Sequence, residues 1–252
     1  MIEPERPSAA DVKASVGSGQ SRVLVDVREG DEVPSARLAG SLHRTDTHEI
    51  ALVVSATLMN AGLAGALLLL AGSDIAATEL ALRTTARVSF AWFMLTFIAS
   101  PLQTLWPSRL SAWLVNRRRA LGVIFGLSMS IHVGFILRLF ALHAPKRPPM
   151  VTDADFFIGI PGLAMVGLLT ITSVEALKRR LGPIAWRRLH TVGMWVVWAI
   201  FFLCLVDSVG RKTTDHPVLA YYAFIAVLLL GMSLRVRAAR LRGSVATPAS
   251  TS

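Results

Sequence analysis

The sequence has a single cysteine among its 252 residues, Cys204, so no disulfide can form within the chain. It also lacks a His-Glu-x-x-His motif and any paired cysteine spacing, which argues against a zinc site of the usual kinds. No glycine-rich loop is followed by Lys-Ser or Lys-Thr, so the phosphate-binding loop of nucleotide hydrolases is missing as well. These absences exclude disulfide scaffolds, common zinc enzymes and nucleotide hydrolases of that type.

Acidic residues are scarce, and none lies in the middle of an apolar segment. The chain carries 26 Lys and Arg residues against 16 Asp and Glu residues, which gives a formal net charge of +10. Proton-coupled transporters normally place carboxylates at membrane depth. Glu175 and Asp207 lie near the ends of apolar segments instead. The sequence therefore disfavours a proton-coupled transporter.

Long apolar segments dominate the sequence, in which 53% of the residues are hydrophobic. Six segments have roughly the length that a helix needs to cross a hydrocarbon layer about 30 Å thick. Open strands cannot cross lipid, because their backbone groups would lack hydrogen-bond partners. We therefore predict an all-α, polytopic membrane protein with a bundle of six transmembrane helices in residues 50–236. The segments are 50–72, 88–106, 120–142, 156–177, 189–207 and 217–235.

Basic residues are concentrated on one side of the predicted bundle. They occupy the connections after the second and fourth segments and the region that follows the sixth. By the positive-inside rule, both termini are predicted to be cytoplasmic. The positive charge is then a topology signal, and no nucleic-acid partner is expected. The basic residues of this side are Arg109, Arg117, Arg118, Arg119, Lys178, Arg179, Arg180, Arg187, Arg188, Arg235, Arg237, Arg240 and Arg242.

Two further regions flank the bundle: a cytoplasmic leader, residues 1–49, and a basic tail, residues 237–252, which is predicted to be disordered. In the leader, VLVDVREGDEVPSARLAGSLHR (Val23–Arg44) resembles the first part of a rhodanese-like domain, where a short strand ends in an Asp-Val-Arg turn. The nucleophilic cysteine loop of that family has no counterpart here. We interpret the stretch as a remnant or a chance match within a partly ordered leader.

Two histidines are the main candidates for chemistry. His132 lies within the third segment and His190 at the start of the fifth. An ionisable ring at membrane depth is costly unless it has a function, and imidazole is a common ligand of haem iron. Helix geometry places His132 about 18 Å into its segment, so the two rings would differ in depth by roughly 15 Å. One iron cannot bind both rings unless a helix is shifted or broken.

Several arrangements of these histidines remain open. His132 pairs with Cys204, which has a similar depth and whose thiolate can bind haem iron, or holds a five-coordinate haem alone. His190 serves an inner haem with His48 or with another residue. Alternatively, both histidines are structural. His132 would then bond Ser128 or a hydroxyl of another segment, and His190 would bond a loop carbonyl.

Three stretches carry a resemblance to a known family, over roughly residues 82–210. Ile171–Trp198 (ITSVEALKRRLGPIAWRRLHTVGMWVVW) resembles a loop and helix of the ferric-reductase-like transmembrane domain. The similarity is greatest to the haem-binding membrane subunit of the periplasmic methionine sulfoxide reductase system. The order of two earlier stretches is also similar to that family. LTFIASPLQTL (Leu95–Leu105) is followed by RRRALG (Arg117–Gly122), and His132 comes ten residues later.

The resemblance implies a bundle that holds one or two b-type haems between the third and fifth segments, with His132 and His190 as axial ligands. The family usually carries a second histidine in the fifth segment, about 13 or 14 positions after the first. Leu203 and Cys204 stand at those positions here. This departure leaves the second axial ligand of each haem open.

The same resemblance implies an oxidoreductase component in the inner (cytoplasmic) membrane of a bacterium. Electrons would pass from a quinol or flavoprotein donor to an acceptor on the outer side. That acceptor would be a soluble periplasmic molybdenum enzyme or, for metalloreductase relatives, chelated ferric iron. The alternatives are a haem-free membrane scaffold that kept the fold and lost the redox function, and a small transporter.

Overall fold

The computed structural model of the protein describes residues 42–72, 74–149, 151–210 and 218–245. Every regular element in these ranges is a helix, which confirms the predicted all-α class. We number the helices in chain order. They are α1 (Leu42–Ala71), α2 (Ile75–Leu105), α3 (Arg109–Asn116), α4 (Arg118–His143), α5 (Asp153–Ile171), α6 (Glu175–Leu181), α7 (Pro183–Gly210) and α8 (Val218–Val245).

Five of these helices are long and apolar enough to cross a membrane: α1, α2, α4, α7 and α8. They contain most or all of the first, second, third, fifth and sixth predicted segments. The fourth segment, 156–177, is not one straight helix, because α5 ends at Ile171 and the chain bends by 97° into α6. A sixth crossing is counted only if this bent pair forms one span.

Local chemistry explains the bend between α5 and α6. The hydroxyls of Thr172 and Ser173 bond carbonyls of the preceding turn, which satisfies acceptors at the end of α5. Helix α6 is rich in basic residues in its last turn, and such cations are costly in hydrocarbon. Gly182, with φ of +75°, ends α6, and Pro183 begins α7 at a position where its missing N–H is not needed.

The flanking regions lie mostly outside the described residues. Of the predicted leader, residues 1–49, the structure describes only the part from Leu42, which is already helical in α1. Helix α8 continues to Val245, through the first part of the predicted tail, 237–252. The short helix α3 lies in the connection between the second and third predicted segments. It begins with a capping box between Ser108 and Ser111.

The centre of the fold is the antiparallel pair α2 and α4. Four polar contacts join the two helices along their length, and residue numbers rise along α2 as they fall along α4. Interhelical hydrogen bonds of this kind satisfy polar groups that lipid cannot. The pairs are Thr78–Arg138, Thr85–His132, Ser89–Ser128 and Ser100–Arg118, at 3.2, 3.1, 2.9 and 3.1 Å.

An aromatic core fills the space where α2 meets α4, α7 and α8. Phenylalanines of α2 provide its centre, and ring centroids 5.1–5.5 Å apart connect them to α7 and α8. Aromatic pairs at such distances stabilise beyond their buried area. The buried members are Phe90, Phe93, Met94, Phe97, Phe125, Val166, Leu169, Met194, Val197 and Leu228.

Glycines allow close contact between the central pair and the surrounding helices. A Cβ atom at Gly126 of α4 would overlap the side chain of Thr170 on α5. The Thr170 hydroxyl bonds the Val166 carbonyl at 2.8 Å, so this side chain is held in place. In contrast, nothing lies within 4 Å of a Cβ at Gly134, about two turns further along α4.

We expect Gly126→Ala to destabilise the protein by about 1–3 kcal/mol, because the added methyl group overpacks the contact with α5. The matched control is Gly134→Ala, which adds the same group to the same helix in open space. Thermal unfolding of each purified variant in detergent measures the difference. Equal unfolding midpoints for the two variants would contradict the close α4–α5 contact.

Candidate functional site

His132 is held against helix α2 by a hydrogen bond with Thr85 and by an interaction with the Leu82 backbone. Its Nδ1 lies 3.1 Å from Oγ1 of the buried Thr85. The single hydroxyl proton of Thr85 is directed to carbonyls of its own helix, those of Ala81 at 2.9 Å and Leu82 at 3.0 Å. The threonine oxygen is therefore the acceptor and Nδ1–H the donor. We assign the proton to Nδ1 on this basis, which leaves a lone pair on Nε2.

His132 also lines a cavity of about 390 Å³, which we call the His132 cavity. Helices α2, α4, α5, α7 and α8 all contribute to its walls. Apolar side chains form most of the lining, and fewer residues are charged or polar. The lining includes Leu82, Phe90, Met129, His132, Leu163, Val197, Ile200, Phe201, Cys204 and Phe224, together with Arg83, Arg87, Asp155, Ser208 and Tyr221.

Cys204 is brought to the same cavity from helix α7. The structure thus places the sulfur-bearing side chain and the His132 ring on one cavity, as the sequence alternative of a His132–Cys204 pair requires. Cys204 forms no disulfide and its side chain is exposed. A thiolate at such a wall is a possible ligand of haem iron by its chemistry.

His190 is held in a corresponding way at the other end of the bundle. Its Nε2 lies 3.2 Å from Oγ1 of Thr172, whose hydroxyl proton is donated to the Leu168 carbonyl at 2.7 Å. By the same argument, Nε2–H is the donor and the lone pair remains on Nδ1. The Trp186 ring lies against the imidazole, with centroids 4.3 Å apart and an interplanar angle of 31°. The indole also bonds the Thr172 carbonyl, so α5 and α7 are joined at this point.

His190 lines a second, smaller cavity of about 200 Å³, which we call the His190 cavity. Helices α2, α4, α5 and α7 contribute to it, together with Ser173 beyond the end of α5. Three arginines lie along it: Arg118, Arg119 and Arg187. Val166 is the one residue that lines both cavities. The structure therefore does not bring His132 and His190 to one cavity.

The remaining histidines with described side chains contribute to neither cavity. His48 lies near the start of α1 and His143 at the end of α4, where its Nδ1 is 2.9 Å from the Leu139 carbonyl. Within the described ranges, no three His, Cys, Asp or Glu residues are grouped as a metal-ion site would require. Haem differs in this respect, because the protein supplies only the axial ligands of its iron.

Sequence reasoning named neither of the two threonines that orient the histidines. For His132 it offered Ser128 or a hydroxyl of another segment; the structure pairs Ser128 with Ser89, and the hydroxyl that meets His132 is that of Thr85 on another helix. For His190 it offered a loop carbonyl, whereas the structure pairs the ring with the Thr172 hydroxyl. Hydroxyl residues are frequent in membrane helices, and only the register of two helices tells which of them meets a histidine. The contact of the Trp186 ring with His190 was likewise not predicted from the sequence.

These features define a multi-pass helical membrane protein whose described helices form the His132 and His190 cavities. A family model described as the ferric reductase like transmembrane component matches residues 85–203, somewhat less than half of the chain. These residues are thus similar to the ferric-reductase-like transmembrane component, which supports the family resemblance. No curated protein and no solved structure matches the chain.

We expect Thr85→Val to destabilise the protein by about 1–3 kcal/mol, because it removes the hydroxyl that accepts the His132 N–H inside the bundle. Thr84→Val is the matched control, since the Thr84 hydroxyl bonds the Leu80 carbonyl in an exposed position. Thermal unfolding in detergent compares the two variants. If Thr84→Val lost as much stability, the effect would come from the bond of the threonine hydroxyl to its own helix and not from the contact with His132.

Proposed function

We propose that this protein is a haem-b-binding electron-transfer subunit of a membrane oxidoreductase, with His132 as an axial ligand in the His132 cavity. The single observation that carries the proposal is the orientation of His132 at this cavity. Metal-binding histidines typically donate their second N–H to a fixed acceptor, which sets the tautomer and the ring direction. Thr85 is such an acceptor, and it leaves Nε2 with the lone pair that a metal needs.

The residues of the His132 cavity fit a haem group. Its volume of about 390 Å³ lies in the range of cofactor and ligand pockets, and its walls are mainly apolar. Gly159 of α5 leaves open space in one wall, whereas Gly162 allows Ile200 of α7 to pack closely against α5. Arg83, which also pairs with Glu79 at 3.2 Å, and Arg87 line the cavity, and their charges would pair with propionates. A bound haem would supply one-electron chemistry between ferric and ferrous iron.

The His190 cavity does not fit a second haem in the same way. At about 200 Å³ it is smaller than typical cofactor pockets. The His190 Nε2 is engaged by Thr172, and Trp186 covers a face of the ring. We therefore assign the haem to the His132 cavity alone and treat His190 as a residue that joins α5 to α7.

The direction of electron transfer follows from the resemblance and the predicted topology. The donor would be a quinol or a flavoprotein, and the acceptor a soluble periplasmic reductase subunit or chelated ferric iron. The His132 cavity lies towards the ends of the helices opposite the basic connections. In a bacterial inner membrane with cytoplasmic termini, this places the proposed haem nearer the outer side, where the acceptor would bind.

We expect the purified, haem-replete protein to show a b-type reduced-minus-oxidised spectrum that His132→Ala removes. His143→Ala is the control on the same helix, and His190→Ala is expected to keep the band because its cavity holds no assigned haem. Complete absence of a Soret band from the wild-type protein would favour the haem-free scaffold. Loss of the band only in His190→Ala would contradict the assignment to His132.

Cys204 is the second side chain at this cavity that can bind iron. We expect Cys204→Ser to keep the haem, because His132 holds it, and to shift the Soret position, because the sulfur ligand is lost. Ser208→Ala, a change one helical turn away on the same cavity wall, is the control. An unshifted spectrum in Cys204→Ser would show that Cys204 only lines the wall.

A further inference from the structure

We propose that the His190 cavity binds the phosphate group of an anionic molecule, either a phospholipid headgroup or free phosphate. Three arginines line this cavity, while no carboxylate does among the described residues. Guanidinium groups bind phosphate through paired N–H donors, and basic pockets between membrane helices are suited to anionic headgroups. The inference is independent of haem binding in the other cavity.

The carboxylate beside the cavity only partly balances the charge of Arg119. Glu175, on the adjoining helix α6, is shared between Arg119 and Lys178, each at 3.7 Å from the same carboxylate oxygen. One carboxylate between two cations leaves a net positive charge there. Within the described part of the chain, Arg187 has neither an ion-pair nor a hydrogen-bond partner.

The other two arginines are positioned beside the cavity by hydrogen bonds, and Arg119 shares the Glu175 carboxylate as well. Arg118 donates Nη1 to the Ser100 hydroxyl at 3.1 Å, and Arg119 donates Nε to the Ser173 carbonyl at 3.2 Å. Both acceptors are neutral. The bonds hold the two guanidinium groups beside the cavity, and a bound anion would then lose little side-chain entropy on their account.

Topology alone does not require this arrangement. The positive-inside rule needs basic residues on one side of the membrane, and it does not need them to share a cavity. Arg188, Arg179 and Arg180 satisfy the rule without lining the cavity. The start of α4 at Arg118 adds the positive end of a helix dipole to the same place.

The test is a titration of the purified full-length protein in neutral detergent. Three probes are compared: short-chain phosphatidylglycerol, short-chain phosphatidylcholine and inorganic phosphate. The readout is the rise of the thermal-unfolding midpoint with probe concentration, since a ligand of the folded state stabilises it by mass action. Arg187→Gln is the test variant and Arg188→Gln the matched control, because both residues are exposed and adjacent.

We expect phosphatidylglycerol to raise the midpoint of the wild type and of Arg188→Gln alike. Arg187→Gln should need about fivefold more lipid for the same rise, the effect of one cation near an anionic group. Arg187→Lys should recover part of the loss. A rise with inorganic phosphate alone would support the site and identify free phosphate as the source.

Three results would overturn the proposal: no rise with either anionic probe, an equal rise with phosphatidylcholine, or an equal loss in Arg188→Gln. The unfolding midpoint without added probe shows whether each variant is folded. The haem spectrum provides a separate readout, and it is expected to remain unchanged in Arg187→Gln. Failure of the anion site and failure of the haem proposal can therefore be distinguished.

Discussion

The polar contacts between α2 and α4 set the register on which both cavities depend. Hydroxyl, imidazole and guanidinium groups inside lipid must bond one another, because no solvent is present to replace a missing partner. Sliding one helix along the other would break the Thr85–His132 and Ser89–Ser128 bonds together. The orientation of His132 is thus a consequence of helix pairing over the full length of the two central helices.

A threonine hydroxyl orients each of the two histidines, but it bonds a different ring nitrogen in each. In each case a threonine donates its own proton to the preceding turn and accepts an N–H from the imidazole. At His132 the bonded nitrogen is Nδ1, and at His190 it is Nε2. The ring of His132 thereby keeps Nε2 for a ligand at an apolar cavity. The ring of His190 is used to join two helices beside a cavity lined by arginines.

The His132 cavity and the His190 cavity lie at opposite ends of the bundle. Residues at the starts of α4 and α7 meet at one end of the bundle, and those at the starts of α2 and α5 meet at the other. Under the proposals made above, one protein would hold a redox group near one membrane surface and an anion near the other. The two sites share only Val166 in their walls, so each can be altered without the other.

Much of the fold could be predicted because hydrophobic length is a local property. An uninterrupted apolar segment must be helical in lipid, whatever its neighbours are. The bend after Ile171 was missed because the apolar composition continues towards α6, and only the hydroxyl contacts of Thr172 and Ser173 end the helix. The predicted separation of His132 from His190 rested on helix rise. It overlooked that α7 begins at Pro183, well before the predicted segment.

The sequence by itself determined the helical class, the approximate spans and the two histidines as candidates, because these depend on residue type and on spacing along one helix. Only the tertiary structure decided which nitrogen of each ring is bonded, that Cys204 shares a cavity with His132, and that three arginines surround a second cavity. Those facts depend on the rotation and register of neighbouring helices. Residues far apart in the chain set that register through contacts that no local pattern encodes.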